Sequence, residues 1–291
     1  MPDGTRRVVG YTEASRGCKH LCRHCPIVPV YGGQFRVVPV EVTLADIGAQ
    51  VDHGAKHITF GDPDFFNGPT HARRLVESLA TRWPGLSYDV TIKVEHLRNH
   101  PDLLPVLRDT GCLFVISAVE AVDDHILERL DKGHTRADVV ATVAAMRQVG
   151  LPLSPTFVAF TPWTTLDGYL DLLQTIADLD LVEAVASIQL AIRLLLPAGS
   201  RLMELPEIRS LTGSLDPSAL AHAWQHPDPR VDQLQHDVQR LVGRQLHAPR
   251  TTVFDDVMAL ALAAAGQRAR ATDRPRAARA TVPFLTEPWY C

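Results

Sequence analysis

Short apolar runs alternate with amphipathic helical patterns from the start of the chain to about residue 200. The apolar runs predict six strands, over residues 6–12, 56–62, 87–94, 112–120, 151–160 and 181–192. Helical spacing of apolar positions between them predicts helices over 43–53, 69–82, 122–131, 135–149 and 166–179. Repeated strand–helix units indicate parallel strands joined by crossover helices. The expected fold class is therefore α/β, as an open, partial (β/α)6 barrel of the TIM type.

The pattern changes after this region, and three parts are predicted. Residues 1–205 form the barrel. Residues 206–270 form a helical extension, because Leu and Val are spaced among Gln, His and Arg over 216–267. Residues 271–291 form an Arg-rich linker and a tail, which ends in the apolar and aromatic sequence "TVPFLTEPWYC" and is expected to dock on the protein. The basic stretch 268–279 is interpreted as a solvated linker, with RNA recruitment as the alternative.

Composition limits the function classes. With 46% hydrophobic residues among 291, the chain can bury a sizeable core. A net charge of −4 argues against a general nucleic-acid binder, so a nucleic-acid partner is not expected. The sequence has no run of 18 apolar residues and no signal-peptide core, which predicts a soluble cytoplasmic protein without a membrane partner. Five cysteines, three of them clustered, indicate metal ligation in a reducing compartment rather than disulfides.

The clustered cysteines lie in "GCKHLCRHCP", directly after the first predicted strand. Loops at this position carry the chemistry of (β/α) barrels. Cys18, Cys22 and Cys25 could share a helical face as packing, although their neighbours are mostly polar. A zinc site would need a fourth ligand, from His20, His24 or Cys112. The third interpretation is a [4Fe–4S] cluster on three thiolates, with one iron lacking a protein ligand.

The spacing C-x3-C-x2-C closely resembles the signature of the radical S-adenosylmethionine (SAM) superfamily. The resemblance implies that Cys18, Cys22 and Cys25 hold a [4Fe–4S] cluster and that SAM chelates the open iron. It also implies that a ferredoxin or flavodoxin supplies one electron, which cleaves a carbon–sulfur bond of SAM. Family members usually have an aromatic residue near adenine before the last cysteine, where this chain has His24.

Further segments resemble SAM-binding elements of that family. In "FGDPD", Gly61, Asp62 and Pro63 would meet the SAM amine through a Gly-rich turn, or form an ordinary turn. In "ISAVEAVDD", Ser117 and Glu120 would contact SAM, with a helix N-terminal acid as the alternative for Glu120.

Three other segments contain further candidate residues. Arg193 in "LAIRLLL" would reach the SAM carboxylate or an internal acid, since an unpaired buried charge is costly. Lys132 and His134 would face the barrel mouth or be a helix end and a loop, and Thr161, Trp163 and Thr164 would line the substrate side.

The C-terminal "EPWYC" resembles the tail of CUAEP/CCAEP-tail radical SAM (seleno)proteins. Those proteins continue with Cys or selenocysteine and Ala-Glu-Pro, whereas this sequence stops at Cys291. Either the gene ends there, or the next codon is a UGA meant for selenocysteine; the second is favoured. Cys291 is accordingly a candidate catalytic thiol, because a vicinal pair of soft ligands can hold a thiophilic atom.

The leading hypothesis is a radical SAM enzyme that cleaves SAM reductively to modify an unidentified small-molecule substrate. One alternative is transfer of the 3-amino-3-carboxypropyl group of SAM to a soft acceptor, such as arsenic or selenium, held by tail thiols. A hypothesis of another class is a non-catalytic iron–sulfur or zinc protein. The three differ in whether SAM is consumed and in which nucleoside is released.

Overall fold

The computed structural model describes residues 6–267, so Cys291 and the expected tail lie outside the described residues. The strands are β1 (Val9–Thr12), β2 (Ser15–Gly17), β3 (Phe35–Val37), β4 (His57–Phe60), β5 (Ser87–Thr91), β6 (Cys112–Glu120), β7 (Leu153–Phe157), β8 (Thr212–Asp216) and β9 (Ala221–Trp224). The first six α-helices are α1 (Val28–Tyr31), α2 (Val40–Asp52), α3 (Pro69–Arg82), α4 (Val94–Asn99), α5 (Leu103–Asp109) and α6 (Asp124–Leu130). They are followed by α7 (Arg136–Val149), α8 (Leu166–Asp178), α9 (Pro206–Leu211), α10 (Pro229–Arg244) and α11 (Arg250–Ala264).

Five parallel strands form the central sheet, in the order β1-β4-β5-β6-β7. Helices connect successive strands, as parallel pairing requires. The predicted α/β fold with a partial barrel is therefore confirmed. The carboxyl ends of all five strands meet at one edge, where barrel folds place their chemistry.

The sixth predicted strand, 181–192, is wrong as a strand. Backbone N–H groups of Ala184 and Val185 donate to Leu181 in a local turn, and Ser187–Leu190 forms a 3-10 helix. One parallel bridge, Phe160 with Arg193, remains where a sixth strand would pair. At the free edge of β7, a side chain takes the place of a neighbouring strand: the Phe157 N–H donates to Gln189 Oε1 at 3.0 Å. The barrel consequently stays open after five strands.

Two short hairpins were not predicted. The antiparallel pair β2 and β3 encloses the cysteine segment. The pair β8 and β9 replaces the first part of the segment 216–267 that was predicted as helical. Their strands are only three to five residues long, and β3 and β8 are largely exposed, so the hairpins carry little apolar pattern.

A single large apolar cluster joins the sheet to the helices around it. It includes Ile58, Val90 and Val115 from the sheet, and also Val238 of α10 and Val257 of α11. The helices of the predicted extension thus pack into the same core as the barrel. Among the described helices, none is both long and apolar enough to cross a membrane.

Candidate functional site

The cysteine segment is fixed at the carboxyl edge of the sheet from two sides. Gly17 closes the hairpin with φ +77°, and an added Cβ would lie 2.2 Å from the Gln34 carbonyl oxygen. Asn67 Oδ1 accepts from the Lys19 N–H at 3.2 Å and lies 3.8 Å from Cys18 Sγ. On the other side, the Arg23 N–H donates to the Leu130 carbonyl oxygen at 2.9 Å. The segment is therefore held in place by the chain around it.

The three thiols of this segment are free, and they are near enough to influence one another's pKa. Burial raises the pKa of Cys22 and of Cys25, and the neighbouring thiols raise both further. Lys132 acts in the opposite direction and lowers the pKa of each of the two thiols. Three free thiols beside a buried cation suit an anionic metal centre that takes three thiolate ligands. The donor set therefore fits a [4Fe–4S] cluster with one open iron.

A buried ion-pair network lies directly behind these thiols. Glu120 Oε1 is 3.0 Å from His24 Nε2 and 3.2 Å from Lys132 Nζ. Burial raises the pKa of Glu120, but Lys132 and His24 outweigh it and bring the pKa down to about 2. Glu120 is thus ionised at neutral pH. Its backbone lies in the left-handed region, with φ +69°, where non-glycine residues are strained.

The turn after α6 delivers Lys132 to this network. Thr135 caps α7 in a capping box with Asp138, which fixes the end of the turn. His134 is buried, and its Nε2–H donates to the Val119 carbonyl oxygen at 3.2 Å. Burial and the neighbouring Lys132 lower the pKa of His134 to about 4, so its ring is neutral. Both candidate side chains of "KGHT", Lys132 and His134, are thus buried and point inward rather than into solvent.

The segment after β4 shows why its glycine is needed. A Cβ on Gly61 would lie 1.7 Å from the Tyr11 hydroxyl oxygen. Asp62 is buried; its Oδ2 accepts from the Ala14 N–H at 2.8 Å, and its Oδ1 accepts from the Ser15 hydroxyl. Burial raises the pKa of Asp62 to about 6. Asp62 therefore ties β2 to the end of β4 while it borders the site.

Sequence reasoning missed a second polar cluster beside the cysteine segment. His20 Nε2 lies 3.2 Å from His96 Nε2, and His96 Nδ1 lies 2.7 Å from Asp64 Oδ2. Asp64 and His96 are close enough for an ion pair, but their atoms are not aligned for a hydrogen bond. Asp64 is fully buried, so this chain of groups connects the cysteine segment to the end of β5. The adjacent "KVEH", after a strand end, is the sequence signal that could have revealed it.

A cavity of about 1140 Å³ connects these features to the inner face of the sheet. At its upper end it is lined by Cys25, Gly61, Asp62, Pro63 and Glu120. Deeper polar lining residues are Thr59, Asp89, Thr91, Ser154 and Thr156, and apolar ones include Phe114, Ile116, Phe157 and Ile188. The space is large enough for a nucleoside-sized ligand together with a small molecule.

Three residues expected to bind SAM do not line this cavity: His24, Arg193 and Ser117. His24 contacts the cavity residue Glu120 instead, as described above. Arg193 donates to Asp232 Oδ1 at 2.7 Å and to the Trp224 carbonyl oxygen at 2.9 Å, and its guanidinium stacks on the Trp224 ring. Asp232 is therefore the internal acid that was the alternative to the SAM carboxylate as a partner of Arg193. Ser117 is fully buried and donates to the Ile92 carbonyl oxygen at 2.7 Å. The side chains of Arg193 and Ser117 are occupied in holding the scaffold.

The remaining candidates also have internal contacts. Thr161 and Thr164 are buried and hydrogen-bonded to each other at 2.9 Å, and Trp163 packs against a small apolar cluster. Cys112 is buried at the start of β6, and its Sγ lies 3.3 Å from the Phe114 carbonyl oxygen. These residues support the walls around the site.

Comparison with known proteins agrees with this geometry. The chain is 24% identical over 185 residues to the ribosomal protein uS12 methylthiotransferase RimO of Parabacteroides distasonis, covering 60% of this chain and 42% of the relative. It is 23% identical over 181 residues to the tRNA-2-methylthio-N(6)-dimethylallyladenosine synthase of Haemophilus influenzae, covering 58% of this chain and 38% of the relative. The chain therefore spans less than half the length of these relatives.

Solved structures show the same fold. The cobalamin-dependent SAM radical enzyme OxsB, with aqua-cobalamin and SAM bound, superposes with a TM-score of 0.68 at 16% identity, covering 80% of this chain and 41% of that one. Methylornithine synthase (PylB) gives a TM-score of 0.51 at 16% identity, covering 89% of this chain and 70% of that one. The sequence model of the radical SAM superfamily matches residues 12–173. Because this match spans more than half of the chain and contains the three-cysteine segment, the chain belongs to the radical SAM superfamily, an enzyme family that uses a [4Fe–4S] cluster and SAM.

Proposed function

We propose that this enzyme holds its [4Fe–4S] cluster through Cys18, Cys22 and Cys25 and cleaves SAM reductively to modify a small molecule. The observation that carries the proposal is the cavity, which joins Cys25 and Glu120 at the carboxyl edge to a deep space on the inner face of the sheet. When bound, the cluster supplies the single electron that cleaves a carbon–sulfur bond of SAM.

The residues around the upper end of the cavity have defined tasks in this proposal. Glu120, ionised and held by Lys132 and His24, accepts hydrogen bonds from an amine or a ribose hydroxyl of SAM. Gly61 lets the Tyr11 hydroxyl pack against the backbone after β4, and Gly61 and Pro63 both border the space proposed for SAM. The apolar walls exclude water from the space in which a reactive species would form.

The volume of the cavity, about 1140 Å³, favours a small-molecule substrate over a folded RNA. The two relatives described above are named for a ribosomal protein and a tRNA, but the match covers less than half of the length of each. We further propose a ferredoxin or flavodoxin as electron donor, and a cytoplasmic location, in which free thiols stay reduced. Membership in the CUAEP/CCAEP-tail family and a catalytic role for Cys291 remain proposals that rest on the C-terminal sequence.

Anaerobic reconstitution tests the proposal. We expect about four irons per chain in the wild type, a change in the electron paramagnetic resonance of the reduced cluster when SAM is added, and 5′-deoxyadenosine after reduction. Replacing Cys18, Cys22 or Cys25 by Ala should abolish all three. Cys112→Ala is the matched control, because Cys112 is a buried thiol outside the site, and it should keep them.

The products decide between the possible outcomes. A cluster that neither responds to SAM nor cleaves it would refute the proposed reaction. Release of methylthioadenosine instead of 5′-deoxyadenosine would indicate aminocarboxypropyl transfer. Cys291→Ala then separates the roles of the tail: uncoupled SAM cleavage should persist while turnover of the substrate is lost.

A further inference from the structure

The inner face of the sheet carries a carboxyl group that the proposed reaction does not use. Asp89 lies in the middle of β5, lines the cavity and is only 1% exposed. Its Oδ1 accepts from Thr59 Oγ1 and from His57 Nε2, each at 2.7 Å. Its Oδ2 has no hydrogen-bond partner within residues 6–267. A buried carboxyl oxygen without a partner is costly, so a donor from a ligand would complete this site.

The groups behind Asp89 fix its orientation. His57 bonds Asp89 Oδ1 through Nε2, and its Nδ1 lies 2.9 Å from the Ser87 hydroxyl. That hydroxyl accepts from Arg7 Nη1 at 2.9 Å and donates to the Lys56 carbonyl oxygen at 3.2 Å. Asp89 is therefore held by groups that are themselves hydrogen-bonded, while its Oδ2 is left for a ligand.

The position of Asp89 places it far from the cysteine segment. It is level with Phe114 in the register of β5 and β6, and Glu120 lies six residues farther along β6. At about 3.3 Å per residue, roughly 20 Å separate the two carboxylates along the sheet. The other two cavity acids, Asp62 and Glu120, line the upper end, where SAM is proposed to bind. Arg250 also lines the cavity, and its guanidinium donates to the Glu183 carbonyl oxygen. Asp89 is thus the acid that lines the deep part of the cavity.

The wall composition sets the chemistry of the occupant. Phe114, Ile116, Phe157 and Ile188 offer an apolar surface beside the single unpaired carboxyl oxygen. Such a site fits a molecule with a hydrocarbon or aromatic body and a positively charged nitrogen at one end. We propose that Asp89 binds the cationic nitrogen of the substrate, which is therefore a small amphipathic amine or guanidine. This inference rests on the proposed function for the identity of the cavity as the substrate site.

Binding of a model amine tests the inference without requiring turnover. The probes are 2-phenylethylamine, protonated at pH 7, and 2-phenylethanol, which has a similar shape and no charge. Calorimetric titration uses the anaerobically reconstituted protein with SAM present. We expect the amine to bind roughly 10- to 100-fold more tightly than the alcohol, the range that a hydrogen bond to a charged group provides.

The variant Asp89→Asn should remove this preference, because the amide keeps the shape but loses the charge. The matched control is Asp109→Asn, which alters an exposed aspartate outside the cavity and should retain the preference. Equal affinity for both probes in the wild type, or an unchanged preference in Asp89→Asn, would overturn the inference. If Asp89→Asn does not fold, the wild-type comparison still decides. SAM cleavage with no preference for the amine refutes this inference alone, whereas absence of cleavage refutes the proposed reaction.

Discussion

Replacing Lys132 by Met tests whether the buried network behind the cysteines stabilises the site as strongly as its geometry indicates. Lys132 is 3% exposed and Glu120 is 7% exposed, so neither charge is solvated when its partner is lost. The Lys132→Met variant keeps the aliphatic length of the side chain and removes only its ammonium group. The buried carboxylate then keeps His24 as its remaining partner.

The magnitude follows from the pKa of Glu120. Its fall from 4.5 to about 2 corresponds to about 3 kcal/mol in favour of the ionised folded state, at about 1.4 kcal/mol per pKa unit. Because the folded pKa is lowered, this stabilisation is complete above about pH 4.5 and is lost as the pH falls toward 2. At pH 7 we expect Lys132→Met to lower the free energy of unfolding by about 3–5 kcal/mol.

A double-mutant cycle measures the pair itself. Anaerobic urea unfolding is compared for the wild type, Lys132→Met, Glu120→Gln and the double variant. The double variant should lose far less than the sum of the single losses, with a coupling energy of about 3 kcal/mol. The exposed pair of Arg82 and Glu41, at 2.6 Å, is the control and should couple by only about 0.2–1 kcal/mol. Equal coupling in both pairs would refute the reasoning.

Three further changes test other parts of the scaffold. Gly17→Ala combines a left-handed backbone with a steric clash and should lower the iron content of the reconstituted protein, whereas Gly85→Ala, at φ +89° in open space, should not. Burial raises the pKa of Asp62 to about 6, so wild-type stability should fall by about 3 kcal/mol as pH rises from 4 to 7 through this group; the pH profile of Asp62→Asn in urea should lack that component. Gln189→Ala leaves the Phe157 N–H at the edge of β7 without its acceptor and should cost about 1–3 kcal/mol in the same unfolding measurement, while an equal stability of both proteins would contradict the proposed edge contact.

The parts of the fold that sequence predicts best are those with a strong apolar period. Strands β4 to β7 fall within their predicted ranges, because each is a buried run between amphipathic helices. The segment 181–192 is equally apolar, but its backbone groups bond locally, which periodicity does not reveal. The hairpins were missed because their strands are short and carry no such period: β2 is Ser-Arg-Gly, and β8 is largely exposed.

Candidate site residues that lie in local sequence motifs are easier to find from sequence than residues whose partners come from distant parts of the chain. The cysteine spacing, the Gly61 turn and Glu120 lie in local motifs, so sequence alone could propose them as candidates. His96 and Asp89 were missed because their importance depends on neighbours from other strands, Asp64 and His57. Arg193 shows the converse: its need for an acid was predictable, but its partner, Asp232, comes from a helix 39 residues away.

The left-handed backbone at Glu120 has a consequence for selection experiments. Glycine would relieve the backbone at this position, and an apolar residue at the position of Lys132 would avoid a buried ion pair. Libraries randomised at both positions and selected for thermal stability should therefore enrich Glu120→Gly together with Lys132→Met. Libraries selected for SAM cleavage should return to the original pair. Opposite rankings of the same substitutions in the two screens would indicate that the proposed SAM contact of Glu120 is kept at the expense of stability.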